Sequence, residues 1–489
     1  MIIKCPELVI DPDKPFALDK LGREDAANIL TDIIKTIDHP FVLAIDSKWG
    51  TGKTTFINMW KSHLINSGFV CMYFNAWEND FVDDPFIAFI AEIQNEVENI
   101  LNNTTVSDPL AIKAYLEKAR NIGWTLLKNI LPVATKIATS GLLDMEVLKD
   151  SLGEVAKDVK DVISEKADEY INRKISEHED AKRSIVEFRK TLSELVKNIQ
   201  ESSGNNFPMI FFIDELDRCK PTYAIKLLER LKHLFNVYGI VYVVSIDKTQ
   251  VSCSVRSVYG DEMDADGYLR RFIDLEYQLP EPSMEDYCRH LFSVYGFEDI
   301  FEHRGIASRS WDNDKSNLLK TFSMMSKIFD LSLRDQEQCF ARMYIVLKST
   351  KPEYAIYPEL LALLVVIHAA DRNLYKKYIA KKDKWNEAIL NTGEVLNSIK
   401  SRRYGKELFE AEYGDLIEGI MYGGVLQHNM LNEAKKYFMD RSQNQKLLEV
   451  ERKRDEEINR VLEYMHRNRY HDAVYYLERK IELAERFQT

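Results

Sequence analysis

Two short runs of this chain hold the residues best suited to chemistry: Gly50-Thr51-Gly52-Lys53-Thr54-Thr55, and Asp214-Glu215. In the first, glycines free the backbone to turn its N–H groups inward. Lys53 follows in the position that reaches the β- and γ-phosphates of a nucleotide, and Thr54 places a hydroxyl for Mg2+. The pattern G-x-x-x-x-G-K-[ST] is met except at its first position, where Ser47 stands. A small residue there is compatible with the turn if its backbone stays in an allowed region, so the departure removes no ligand. The second run closes an apolar stretch, "MIFFIDELDRC". Beside a phosphate loop, Asp214 would hold Mg2+ through water and Glu215 would polarise the attacking water. Acids often end surface strands, but two directly after so apolar a run, downstream of such a loop, make a strong pair.

Positioning these residues requires a sheet. Four runs rich in β-branched and aromatic residues, 41–46, 69–76, 209–215 and 240–247, are apolar on both faces, as parallel strands covered by helices read. Helical segments ending in glycine separate the first pair and the last pair. Strand-helix-strand, twice over, predicts an α/β fold with a doubly wound parallel sheet. If the strand 240–247 lies between the loop strand and the Asp214 strand, its end faces the γ-phosphate. Ser245 and Asp247 would then sense that phosphate, although a strand-end aspartate is also an ordinary helix cap. Residues from about 85 to 200 are helical in pattern and read as an insertion on this domain. Prolines mark a boundary near 281, and the pattern is helical from there to the end. The polar patch 308–317 reads as a loop, and the charged C-terminal segment as two solvated helices, with an oligomer contact as the alternative. The expected domains are 1–280 with the insertion, a helical lid at 281–355, and a C-terminal helical domain at 356–489.

Composition narrows the class. Apolar residues at 45% supply more than one core in a chain this long. The six cysteines are scattered without C-x-x-C pairs, and none of the ten histidines forms a metal-like pair, so zinc and disulfide frameworks are not expected. A net charge of −12 speaks against a broad nucleic-acid surface. No signal peptide is visible, and the most membrane-like stretch, Trp124 to Leu148, is interrupted by Lys128, Pro132, Lys136 and Asp144. It reads as a helical hairpin without a transmembrane span, and the expected compartment is cytoplasmic.

The runs "LGRED", "WGTGKTT", "FNAWEND", "IDELDRCKP", "VVSIDK" and "YLRRFIDLEYQLP" occur in this order over the first 280 residues. In these the sequence resembles the KAP family of P-loop NTPases, relatives of the AAA-plus and STAND groups. "FDLSLRDQE" (329–337) is similar to the segment leading into that family's lid. The resemblance implies ATP and Mg2+ as cofactors, Arg23 near the base or ribose, and Arg334 as a lid arginine. By the AAA-plus analogy it also implies Arg271 or Arg270 as a finger reaching a neighbouring subunit, against which a surface ion pair weighs equally. Asn75 is a candidate for orienting water, whereas Trp77 is expected in the core. Asp217 and Arg218 are expected to organise the turn after the Asp214 strand. The family often carries membrane helices in its insertion, and this chain lacks them.

The function expected is Mg2+-dependent ATP hydrolysis coupled to conformational change or homo-oligomer assembly; the resemblance further implies a separately encoded effector and a place in bacterial anti-phage defence. Lys53, Thr51, Thr55 and the loop amides would hold the phosphates, Thr54 and Asp214 the metal, and Glu215 the water. The alternative is a nucleotide-gated scaffold with negligible turnover.

Overall fold

Five strands, all parallel, form one sheet: β1 Phe41–Asp46, β2 Cys71–Asn75, β3 Met209–Asp214, β4 Ile240–Ile246 and β5 Leu275–Gln278. Their order is β2-β3-β4-β1-β5, so β4 does lie between the loop strand and the Asp214 strand. The structure is a computed structural model. It describes residues 8–103, 182–304, 311–467 and 473–486 apart from 83, 202–205, 233–235, 282, 352–356 and 411–413, with isolated positions at 113–114, 117–118, 121 and 179.

The four runs expected as strands are strands. β5 adds an edge next to β1, and three of its four residues are exposed, which is why it carries no apolar run to read. The alternation of each strand sorts its side chains onto two faces. Leu43, Ile45, Ile210, Phe212, Val241 and Val243 pack against two helices, α1 Glu24–Lys35 and α2 Lys53–Asn66. Trp60 of α2 is fully buried there and donates its indole N–H to Thr31 Oγ1 of α1 at 3.0 Å. That bond satisfies the one polar atom an interior tryptophan brings. The opposite face, with Phe74, Phe211, Ile213, Tyr242 and Val244, is covered by α3 Pro85–Asn103, the helix over 182–201, and the helices Pro221–Leu231 and Lys248–Tyr259. Helices on both faces make the sheet doubly wound.

Both ends of the segment expected as an insertion thus belong to the core of the sheet, through Phe86, Phe89 and Ile93 at one end and Phe188, Leu192 and Leu195 at the other. The expected hairpin at 124–148 lies outside the described residues.

Every described element after β5 is helical. Buried residues from Tyr287 to Ala484 form one continuous apolar cluster, which runs through the boundary expected at 355/356. Its centre is the helix Pro358–Ala370, "PELLALLVVIHAA", buried from Pro358 to His368 as a helix apolar on all sides must be. Among the described residues no helix is long and apolar enough to cross a membrane. Two expectations change here. Residues 311–317 begin the helix Trp311–Ile328 and are not a loop, because Leu318, Phe322 and Met325 recur at helical spacing and bury that face. The charged C-terminal helices Glu449–Arg467 and Ala473–Glu485 are not merely solvated: Ile458, Leu462, Met465, Leu477 and Ile481 sit in the core.

Candidate functional site

The candidate residues gather at the C-terminal ends of β1, β3 and β4, where doubly wound sheets place their ligands. β1 leads into α2 on one face and β4 into the helix Lys248–Tyr259 on the other, so the crevice opens between these two neighbours.

The loop between β1 and α2 has Gly50 at φ 71° and Gly52 at φ 81°, the left-handed region that favours glycine. Ser47 does not need that freedom. Its hydroxyl pairs with Thr51 Oγ1 at 2.7 Å, and Thr51 Oγ1 also donates to Lys48 O at 2.8 Å, so two side chains close the first half of the loop. No side chain caps α2, which leaves its first amides available to an anion. Lys53 is buried; its ammonium donates to Ser47 O at 2.5 Å and lies 3.3 Å from Asp217 Oδ2. Thr55, one turn position on, is half-buried.

Asp214, fully buried at the end of β3, accepts from its neighbour's amide, Glu215 N, at 2.8 Å and from the Tyr73 hydroxyl at 3.0 Å. Burial, then the nearby carboxylate of Asp214, push the Tyr73 phenol well above its ordinary range and keep it a donor. Alternation within β2 puts Tyr73 and Asn75 on the α2 face, together with Asp214 and Ser245. Ser245 Oγ is buried there with no hydrogen-bond partner in the described structure.

Glu215 adopts φ 60°, a sparsely occupied backbone region for a residue with a side chain. Its carboxylate meets Thr54 Oγ1 of α2 at 3.4 Å, Asn75 Nδ2 at 3.4 Å and Arg218 NH1 at 2.8 Å. Burial raises its pKa above the ordinary glutamate value, and the charge of Arg218 opposes that rise. Arg218 in turn lies over the Trp77 ring. Trp77 is 50% exposed and not in the core as expected, since Asn75 Oδ1 accepts its amide and turns the chain outward at that point.

Asp247 caps the helix Lys248–Tyr259 through the amides of Thr249 and Gln250, and its other oxygen accepts Trp49 N at 3.0 Å. It therefore reaches the loop through the backbone of Trp49. Arg23, 2% exposed, donates to Gly52 O at 3.2 Å and Pro280 O at 3.4 Å, tying the loop to the end of β5. Burial lowers its pKa to about 10, which leaves it charged at neutral pH. Arg334 comes from the helical half. Leu333 N donates to Gly50 O at 2.9 Å, and a side chain on Gly50 would begin 2.8 Å from Ser332 Oγ and 3.5 Å from the Arg334 Cβ. Lys48 also pairs with Asp330 at 2.8 Å. The helix Leu333–Ser349 thus starts on the loop, with the Arg334 side chain exposed beside it. Arg270 and Arg271 stand apart. They are exposed just before β5, where Asp274 N donates to Val42 O, toward the end of the sheet opposite the loop. The ion pair weighed for them does not form among the described residues.

Sequence reasoning missed three contributors: the Tyr73 hydroxyl, the Ser47–Thr51 pair, and the contact of Asp217 with Lys53. Tyr73 shares the two-residue alternation of Asn75, which was a usable signal. Nothing local pointed to the other two.

The donor set fits a nucleotide with Mg2+. The glycines leave the loop backbone bare, Ser245 Oγ is a buried polar atom without a partner, and Thr54, Asp214 and Glu215 offer hard oxygens. Among the described residues no cluster of histidine, cysteine and carboxylates forms a metal cage.

An uncharacterised protein of Methanocaldococcus jannaschii is 28% identical over 188 residues, which cover 36% of this chain and 90% of that protein. The KAP family P-loop domain matches residues 23–346, which takes in the whole sheet, the loop and most of the helix that starts on Gly50. With that match and with Gly50, Gly52, Lys53, Thr54 and Asp214 assembled at one sheet end, the chain belongs to the KAP family of P-loop NTPases.

Proposed function

We propose that the chain hydrolyses ATP in a Mg2+-dependent reaction and uses the cycle to move its helical half or to assemble a homo-oligomer. The observation that carries this reading is the approach of Thr54 Oγ1, from the phosphate loop, to Glu215 Oε1, from the end of β3, at 3.4 Å. Lys53 and the open amides of α2 would hold the phosphates. Mg2+, held by Thr54 and through water by Asp214, would neutralise charge on the phosphate oxygens. Glu215 would take the proton of the attacking water, and burial, which raises its pKa, makes it a stronger base than an exposed glutamate. Asn75 would fix that carboxylate from the other side. Tyr73 would hold Asp214 by its hydroxyl, and Ser245 would offer its own to the γ-phosphate. Arg334, and Lys48 through Asp330, would let the helical half respond to phosphate at Gly50. ATP is favoured over GTP because no N-K-x-D run is present.

The exposed Arg270 and Arg271 cannot serve their own loop from the far side of the sheet, which supports a role across a subunit boundary. A cytoplasmic location, which rests on the scattered cysteines, and a place in bacterial anti-phage defence beside a separate effector, which rests on the family alone, are part of this proposal. One observation favours the scaffold reading: Arg218 holds Glu215 Oε1 at 2.8 Å, and would have to release it before that oxygen could polarise water.

The test is ATP turnover per chain over a range of protein concentrations, with Glu215→Gln. Hydrolysis predicts a loss of about 10^3 in turnover with ATP binding retained. Turnover that also rises with concentration supports the oligomer. Binding without turnover in the wild type would instead establish the scaffold.

A further inference from the structure

Asp217 lies in the short 3-10 turn Leu216–Arg218, yet its carboxylate makes no bond within that turn. One oxygen, Oδ2, takes three donors, two from the phosphate loop and one from the end of β4: the Trp49 indole N–H at 2.7 Å, the Lys53 ammonium at 3.3 Å and the Asp247 amide at 2.9 Å. The pair is buried, with side-chain exposures of 2% for Asp217 and 9% for Lys53. The lysine's other two contacts are neutral carbonyls, of Ser47 and Lys48.

A carboxylate in that place does two things. It fixes the ammonium and the first half of the loop relative to β4. It also sets a negative charge beside the cation that must bind phosphate, and inside a protein such a charge is poorly screened. We propose that Asp217 is a positioning residue of the phosphate site, one that aligns Lys53 for turnover and weakens the hold of the site on di- and triphosphate. The proposal rests on the reading above that the loop binds ATP.

Asp217→Asn separates the two effects, because it keeps size and an acceptor for Trp49 and the Asp247 amide while removing the charge. Calorimetric titration with ADP and with ATP–Mg2+ is expected to show Kd tightened about tenfold, and kcat lowered about tenfold. A residue that only stabilises its turn cannot produce tighter binding together with slower turnover. Trp49→Phe removes a single donor at a 46%-exposed side chain, so it keeps the idea testable if Asp217→Asn does not fold. It is expected to lower kcat about threefold with ATP Kd unchanged.

Wild-type protein that binds neither nucleotide would overturn the ATP reading and this proposal with it. Wild-type binding and turnover, with Kd and kcat of Asp217→Asn unaltered or both merely worsened, would overturn this proposal alone. So would an unaltered kcat in Trp49→Phe when Asp217→Asn cannot be folded.

Discussion

Two regions of this molecule bury charge, and they do it differently. In the helical half, Glu418 and Asp455 are fully buried. Lys400 bonds Glu418, Arg441 bonds Asp455 at 2.7 Å, and Arg454 reaches both acids, at 3.9 Å and 3.2 Å. The charges come from four helices, each acid has two cations, and the cluster is closed. At the ends of β3 and β4, Asp214, Glu215, Asp217 and Asp247 face only Lys53 and Arg218 as ion-pair partners among the described residues. There Glu215 holds a left-handed backbone and Ser245 keeps a buried hydroxyl without a partner among the described residues. A buried cluster in which each acid has its cations, drawn from four helices, holds those helices in register. An unbalanced one, with strained backbone and spare polar atoms, is arranged for a ligand that brings its own charge.

The comparison can be broken at three points. The largest effect is expected from Gly50→Ala. Its new Cβ would meet the Ser332 side chain at 2.8 Å, at a position with φ 71°, so either the loop or the start of Leu333–Ser349 must shift. ATP affinity should fall by roughly tenfold or more, read by titration, while the buried cluster around Glu418 and Asp455 stays in place.

Lys400→Met should do the reverse. It leaves Glu418 buried with only the 3.9 Å contact to Arg454, and should cost about 2 kcal/mol in urea unfolding. Turnover per folded molecule should not change; a fall in kcat would mean that the two clusters are coupled.

The smallest effect concerns His368, which sits with the guanidinium groups of Arg342 and Arg372, the Glu485 carboxylate and the Tyr375 ring around it. Burial first, then the two arginines, lower its pKa from 6.5 to about 4. The folded state therefore binds fewer protons than the unfolded chain between those values. Stability from this group is full above about 6.5 and is lost as pH falls toward 4. Urea midpoints at neutral pH and near pH 4.5 should differ less in His368→Gln than in the wild type; an equal difference would remove His368 as the cause.

Legibility followed the range of the interactions. Gly50, Gly52, Lys53 and Thr54 could be read because their spacing along the chain is itself the geometry of the loop. Strands β1 to β4 could be read because helices cover both faces and leave an apolar run, whereas β5, exposed at three of four residues, leaves none. Asp217 was read as an organiser of its own turn, since nothing near it in the chain shows Lys53 164 positions away. Trp77 was misplaced because an aromatic residue after a strand reads as core, and only the cap made by Asn75 turns it out.

What the sequence determined by itself was a phosphate loop at the head of a helix, a second strand ending in two acids, and a long helical remainder. These rest on local backbone preference and on periodic burial, which act over a few residues at a time. The tertiary structure decided that β4 separates the loop strand from the acid strand, and that Asp217 meets Lys53. It also decided that Ser332, Leu333 and Arg334 rest on Gly50, and that the helical remainder shares one core from Tyr287 to Ala484. Each of these joins segments far apart in the chain, and only the packing of whole elements brings them within reach of a hydrogen bond or an ion pair.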